Sequence, residues 1–244
     1  MIAILKREFR AYFSTPIGYI FLAAFIFFSS LFFVFINMNA LQTSMTNYFS
    51  NVSLMFVFVI PILTMRLFSE ERKSKTDQLL LTAPVRVHEI VLGKYLASVS
   101  LLLIGVLVTV LFLPIMSFYG TPDVAECLIG YLGIFLLGLF FVALGMFLSA
   151  ITESQVIAAV STLAIIFFLW FLGGMNIQFT EILSGAFEWL GKVLDWLLNF
   201  ISINNRLYDF TLGTLNVVPV FYFLSLAVLF IFLTISVIER RRWK

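Results

Sequence analysis

The chain has 244 residues, of which 62% are apolar and 11% are charged, and its formal net charge is +2. Soluble domains are about 45–50% apolar and about 25% charged, so a water-soluble fold of this composition would lack polar cover for its surface. The composition therefore excludes a soluble protein and predicts an integral membrane protein. The single cysteine, Cys127, and the single histidine, His88, also exclude an internal disulfide and a Cys/His metal centre.

The leader, residues 1–16, is predicted to form an amphipathic helix lying in the plane of the membrane. Its apolar side chains recur at helical spacing and share one face: Ile2, Leu5, Phe9 and Tyr12. Its charged side chains are expected to point elsewhere: Lys6, Arg7, Glu8 and Arg10. Pro16 is expected to separate this helix from the first span. The alternative is a positively charged flank that only sets the topology.

Six apolar segments are long enough to cross about 30 Å of hydrocarbon. They are residues 17–36, 52–68, 95–118, 127–151, 156–174 and 217–238. Pro61 and Pro114 are predicted to kink two of them. Residues 17–244 are thus expected to form one transmembrane domain, and the fold class is an all-α polytopic membrane protein of six helices. An amphipathic outer helix is expected before the last span.

The basic residues predict the orientation. Thirteen of the fifteen lysines and arginines lie in the leader, around the loop after the second span, or in the tail. With six spans all thirteen fall on one side, so the positive-inside rule predicts that both termini are cytoplasmic. Lys192 and Arg206 are the exceptions, and both lie in the outer segment 175–216.

Residues 180–200 within that outer segment leave two interpretations open. Their polar side chains recur every three or four positions: Glu181, Ser184, Glu188, Lys192, Asp195 and Asn199. This single polar stripe favours an amphipathic helix on the outer face of the membrane. A seventh span is the alternative, and it would carry four ionisable groups into lipid at a cost of up to about 2.5–3.5 kcal/mol each near the centre.

The loop 69–94 is the only long loop predicted on the cytoplasmic side. Ser74 followed by Asp77 resembles a capping box, which predicts a short helix over residues 78–82. Pro84 should end it, and the helix of the third span should begin near Val85. Three consecutive leucines, Leu79, Leu80 and Leu81, cover more than one face of this helix. They would either dock in a partner protein or pack within the chain at a solvated hinge.

The sequence offers no catalytic, cofactor-binding or metal site. His88 is expected at the surface and Glu153 in a turn. The glycine-lysine pairs at 93–94 and 191–192 lack the remaining residues of a Walker A motif, and the spans lack the charged pairs typical of proton-coupled transport. The chain is therefore not expected to be an enzyme. Gly138 and Gly145 predict close helix packing, either within the subunit or at a dimer seam.

The loop carries a family resemblance. Its motif comprises Arg66, Leu67, Phe68, Ser69, Glu70, Glu71, Arg72 and Lys73, then Thr76, Leu79 to Leu81, Pro84, Gly93 and Lys94. It resembles the cytoplasmic loop of ABC-transporter permeases of the type-2 exporter class, and the six-span plan fits that class. Within it, the chain is most similar to the bacterial permease subunit associated with gliding motility.

This resemblance implies a half-transporter in the bacterial inner membrane. Two permease subunits would pair, each on an ATP-binding subunit that holds ATP and Mg, and gliding-type systems would add a membrane protein with a periplasmic domain. Residues 76–82 would be the coupling helix, and Glu70 and Glu71 would relay its motion. The implied coupling residues are Glu70, Glu71, Arg72, Thr76, Asp77, Leu79, Leu80, Leu81 and Pro84. No nucleic-acid partner is implied. The alternatives are a secondary transporter or channel, and a membrane scaffold of an envelope complex.

Overall fold

The computed structural model of the protein describes residues 1–76, 86–118, 120–174, 189–193, 195 and 202–242. These residues are predominantly helical and include six helical segments that are long and apolar enough to cross a membrane. The segments are Pro16–Met38, Thr46–Lys73, Val87–Met116, Val124–Ile151, Gln155–Gly173 and Val217–Arg241. The all-α, six-span prediction is therefore confirmed.

The leader forms helix α1 (Ile2–Ser14), and α2 (Pro16–Phe32) follows after a single extended residue, Thr15. Pro16 occupies the first turn of α2, where its missing N–H has no helical partner to lose. The turn between them is tight, because a Cβ atom added at Gly18 would lie 2.4 Å from the carbonyl oxygen of Tyr12. The first span then continues as a π-helix, Phe33–Met38.

The second span consists of two helices. Helix α3 (Thr46–Thr64) begins six residues before the predicted start at residue 52 and runs through Pro61 without interruption. The helix breaks at residues 65–68 and resumes as α4 (Ser69–Lys73). The helix is thus interrupted four residues after Pro61, at residue 65, and not at the proline itself.

The third span consists of α5 (Val87–Thr109) and α6 (Phe112–Met116), which are separated by a short break close to Pro114. Helix α5 begins near the predicted position, at Val87. Residue 95, the predicted start of the third span, lies inside α5, and the neighbouring Lys94 is buried at 1% exposure. The loop 69–94 is correspondingly shorter, since α4 and the first two turns of α5 occupy its ends. The predicted helix 78–82 lies outside the described residues.

The remaining helices are α7 (Val124–Ile151), α8 (Gln155–Gly174), α9 (Ile203–Thr211) and α10 (Val217–Arg242). Helices α3 and α7 are central and mostly buried. A Cβ at Gly138 would lie 2.4 Å from Leu102 Cδ2, and one at Gly145 would lie 2.3 Å from Thr64 Oγ1. Both glycines therefore pack against helices of the same chain, and the dimer-seam interpretation is wrong for these two positions.

The outward faces of α2, α8 and α10 carry exposed large apolar side chains. Examples are Tyr19 at 58% exposure, Phe168 at 58% and Phe221 at 68%. Such a surface is stable only in lipid or against another apolar surface. These three helices therefore form the periphery of the bundle around α3 and α7.

The outer segment 175–216 is described in part. Helix α9 is amphipathic, because Ile203, Leu207 and Phe210 are buried on one face while Tyr208 is 54% exposed. A Cβ at Gly133 of α7 would lie 2.5 Å from Phe210 Cβ, so this face packs closely on α7. The rest of the segment lies outside the described residues: 175–188, 194 and 196–201. It includes most of the polar stripe, so the choice between an interfacial helix and a seventh span stays open.

Candidate coupling site at the basic end of the bundle

One end of the bundle gathers most of the described basic side chains. It is formed by α1, residues 65–76, the first two turns of α5, the 152–154 turn and the end of α10, and we call it the basic end. Helix α1 lies close to α5 here, because a Cβ at Gly93 would lie 2.9 Å from Ile4 Cγ2. Tyr12 fixes the same contact, since its buried hydroxyl lies 2.8 Å from Ser98 Oγ. Burial raises the pKa of Tyr12, so the hydroxyl stays neutral.

A buried charge cluster lies beneath α1. Lys94 Nζ lies 2.9 Å from Glu71 Oε1 and 3.4 Å from Glu8 Oε1. It also lies 5.3 Å from the centre of the Phe68 ring, within the range of a cation–π contact. A buried lysine is tolerated when it is paired, and these contacts supply the pairing. The cluster thereby joins α1, α4 and α5.

Arg7 completes the cluster from its exposed side. Its guanidinium lies 2.6 Å from Glu8 and 3.5 Å from Glu71. Two cations and two carboxylates leave the group with no net charge. The Glu8 carboxylate raises the pKa of the Arg7 guanidinium above its ordinary value, because the bond favours the charged form.

This arrangement corrects the interpretation of the leader. The sequence predicts that Glu8 points away from the apolar face of the leader helix, together with Lys6, Arg7 and Arg10. Its side chain is instead only 14% exposed and turns towards Lys94. Pairing with a buried lysine outweighs the preference of Glu8 for water.

The break at residues 65–68 is held by one side chain of α7. Ser149 Oγ accepts hydrogen bonds from the backbone N–H groups of Phe68 at 3.1 Å and Ser69 at 3.2 Å. The same hydroxyl donates to the carbonyl oxygen of Met65 at 3.1 Å. The backbone groups that the break frees are thus satisfied by a fully buried serine. This geometry allows α4 to have a direction different from that of α3.

Two further pairs surround the cluster. Arg66 Nε lies 2.5 Å from Glu70 Oε2, and Arg66 also donates to Thr15 Oγ1 at 3.1 Å between α1 and α2. Arg72 lies 2.6 Å from Glu153 in the turn between α7 and α8. Glu153 is therefore a turn residue, as expected, and it also has an arginine partner. Helix α4 is fixed on both sides by these pairs.

The structure places part of the predicted site. Glu70, Glu71 and Arg72 lie on α4 at the end of the second span, and Thr76 is exposed just after it. The others lie outside the described residues: Asp77, Leu79, Leu80, Leu81 and Pro84. Ser74 ends α4 by donating to the Glu70 carbonyl oxygen at 2.9 Å. His88 is exposed in the first turn of α5, as expected.

Sequence reasoning missed three members of this site. Lys94 was counted as a loop charge, Glu8 as a solvated one, and Ser149 only as a small residue of the fourth span. A signal for Lys94 was present, since it directly precedes the predominantly apolar third span. The residues that Lys94, Glu8 and Ser149 contact are distant from them in the sequence, so only the fold could identify these contacts.

The opposite end of the bundle carries a smaller polar group. Glu126 Oε1 accepts hydrogen bonds from Ser44 Oγ at 3.0 Å and Thr46 Oγ1 at 3.3 Å. The carbonyl oxygen of Thr211, at the end of α9, is an alternative acceptor for the same Thr46 hydroxyl at 3.1 Å. These contacts join the loop between the first two spans, α7 and α9, at the end of the bundle away from the charge cluster.

Comparison with known proteins identifies the family. The family model described as ABC-2 family transporter protein matches residues 2–243, nearly the whole chain. No curated protein matches the chain. The six helical segments that are long and apolar enough to cross a membrane are consistent with a transporter of the membrane. The chain therefore belongs to the ABC-2 transporter family and is a multi-pass transmembrane subunit of an ABC transporter.

Proposed function

We propose that this chain pairs with a second permease subunit in the bacterial inner membrane and docks a separate ATP-binding subunit at its basic end. ATP binding and hydrolysis on that partner would then drive export or mechanotransmission. The observation that carries the proposal is the buried Lys94 cluster. It links α4 and α5, the two helices that lead into and out of residues 77–85, and it links both to α1.

The orientation rests on charge. Among the described residues, the basic end holds the lysines and arginines of the leader, of the segments next to residues 77–85, and of the end of α10. Basic segments flanking spans are retained on the cytoplasmic side. ATP-binding subunits work in the cytoplasm, so this end is the one that can meet them. Lys73, Lys75 and Arg86 are exposed on the two sides of residues 77–85, where docking would occur.

Motion of the docked segment would pass into the bundle through the charge cluster. A displacement of residues 77–85 acts first on α4 and on the start of α5. Because Lys94 bonds to Glu71 of α4 and to Glu8 of α1, these elements would move as one unit. The break at residues 65–68 supplies the joint about which α4 can turn relative to the central helix α3. Glu71 is thus a relay, and Glu70 acts on the α1–α2 junction through Arg66.

The chain itself would perform no chemistry. Its glycine-lysine pairs do not complete a Walker A motif, so ATP and Mg would be bound by the partner subunit. The likeness of residues 66–94 to type-2 exporter permeases, and of the chain to the gliding-motility permease subunit within that class, supports assignment to that subtype. A further membrane protein with a periplasmic domain would then join the complex.

Site-specific crosslinking tests the docking surface. Cys127 is the only cysteine and is 1% exposed, so Cys127→Ser gives a cysteine-free background. In that background, Thr76→Cys should crosslink to an ATP-binding subunit in the native host. Thr214→Cys, which is exposed at the opposite end of the bundle, is the matched control and should not. A crosslink from Thr214→Cys but none from Thr76→Cys would reverse the proposed orientation.

A second experiment tests the coupling role of the leucines. Serine at Leu79, Leu80 and Leu81 together should leave membrane insertion intact but uncouple ATPase activity from the permease in the reconstituted complex. Serine at Leu212 and Leu215, which are 49% and 61% exposed near the opposite end, is the matched control. Unchanged coupling in the triple variant contradicts the docking role. Uphill transport by the isolated chain would replace the proposal with a secondary transporter.

A further inference from the structure

Two exposed cations on α1 have no ion-pair partner among the residues that the structure describes. Lys6 and Arg10 lie one helical turn apart, and both are exposed. Within the described part of the chain neither has a carboxylate within ion-pair distance, whereas Arg7 and Glu8 between them belong to the buried cluster. The unneutralised positive charge of α1 is therefore concentrated at Lys6 and Arg10.

An apolar strip runs beside these cations. Ile2 is 68% exposed, and the Phe9 and Phe13 rings are partly buried with their centres 5.1 Å apart. Helical geometry puts Phe9, Phe13 and Lys6 within about 60° of one another around α1. A helix with an apolar strip bordered by basic residues is typical of segments that lie in the membrane interface.

The strip is continuous with the lipid-facing surface of the first span. The Phe13 ring meets the Tyr19 ring edge-on, with centres 5.8 Å apart. Tyr19 lies in the first turns of α2 and is 58% exposed, and the next residue, Ile20, is 50% exposed. Tyrosine at the end of a span favours the headgroup level of the bilayer. Lys6 and Arg10 therefore lie where lipid headgroups begin.

We propose that the corner between α1 and α2 binds anionic phospholipid headgroups through Lys6 and Arg10, with Phe9 and Phe13 resting on the acyl chains. The partner is the membrane surface because these cations border a strip that continues into lipid-facing α2. Lys73 and Lys75 at the same end instead adjoin the 77–85 segment. The lipid contact would fix the height of α1 in the interface, and so of the charge cluster beneath it.

Lipid titration of the purified full chain tests this proposal. Native mass spectrometry in detergent would count bound phosphatidylglycerol and phosphatidylcholine. We expect the parent protein to prefer phosphatidylglycerol. Each cation removed by Lys6→Gln or Arg10→Gln should weaken that binding by about fivefold, the effect of one basic residue near an anionic surface. Phosphatidylcholine binding should not change.

A matched control separates this site from general attraction. Lys73→Gln with Lys75→Gln removes the same charge from the same end of the bundle and should leave the preference intact. The proposal is overturned if the double variant Lys6→Gln with Arg10→Gln loses no phosphatidylglycerol binding. It is also overturned if that variant and the Lys73→Gln, Lys75→Gln control lose the same amount of phosphatidylglycerol binding. An unchanged lipid preference combined with lost co-purification of an ATP-binding subunit overturns it as well, because the cations would then contact protein. Docking through residues 77–85 could fail without affecting any of these results.

Discussion

Replacing Lys94 with methionine keeps the length of the side chain but removes the cation that Glu8 and Glu71 share. The cluster then holds one cation, Arg7, and two carboxylates. Removing one partner of a buried ion pair costs about 3–5 kcal/mol. Glu8 and Glu71 keep 14% and 20% of their side-chain surface exposed, and Arg7 still reaches both. We therefore expect the lower end, about 3 kcal/mol.

Thermal unfolding in detergent measures this loss. For chains of about this length 1 kcal/mol corresponds to roughly 2–4 °C in Tm, so Lys94→Met should lower Tm by about 6–12 °C. Adding Glu71→Gln to the variant restores charge balance, leaving the Arg7–Glu8 pair. The double variant should therefore melt well above Lys94→Met alone.

Lys73→Met is the matched control, because Lys73 is exposed and has no carboxylate partner among the described residues. It should melt with the parent protein. If Lys94→Met had the same Tm as the parent protein, the charge cluster would not be a stabilising contact. A double variant no more stable than Lys94→Met would show that the cost comes from lost packing of the lysine stem.

Three other substitutions test single contacts. Ser149→Ala leaves the N–H groups of residues 68 and 69 without an acceptor, which costs about 1–3 kcal/mol. Amide hydrogen exchange at these two residues should therefore accelerate. The control Ser161→Ala loses only a hydrogen bond within its own helix and should have little effect. Gly145→Leu forces a side chain against Thr64, which should cost about 1–3 kcal/mol in thermal unfolding, and a Tm equal to that of the parent would contradict close α3–α7 packing. Tyr12→Phe removes the hydroxyl bonded to Ser98, for about 1 kcal/mol, and unchanged amide exchange in α1 would show that this bond does not fix α1 to α5.

The sequence predicted the helical spans well because the signal for a span is local. Each span is indicated by a run of apolar residues long enough to cross the bilayer. Pro16 is likewise a local signal, because it marks the start of α2. Boundaries were less accurate where a polar residue lies inside a helix. Lys94 shifted the expected third span to residue 95, and the polar first turn of α3 shifted the second span to residue 52.

The candidate site was predicted only in part, for a related reason. Glu70, Glu71 and Arg72 stand in a charged loop next to a span, which marks them as interfacial. Nothing local marks Glu8 or Ser149 as their neighbours. Glu8 lies 63 residues before Glu71, and Ser149 lies 80 residues after Ser69. Their contacts depend on how α1 and α7 pack, which no short window of sequence contains.

The sequence by itself determined that this protein is a six-span membrane protein with its basic residues gathered at one end, because hydropathy and charge act residue by residue against the bilayer. Only the tertiary structure decided which spans are central. The six spans have similar mean hydropathy, between 2.0 and 2.8, yet α3 and α7 are mostly buried while α2, α8 and α10 form the periphery. Lipid and protein interior are both apolar, so hydropathy cannot distinguish them. Close packing at glycines and the pairing of a buried lysine do distinguish protein interior from lipid, because both require specific neighbouring residues.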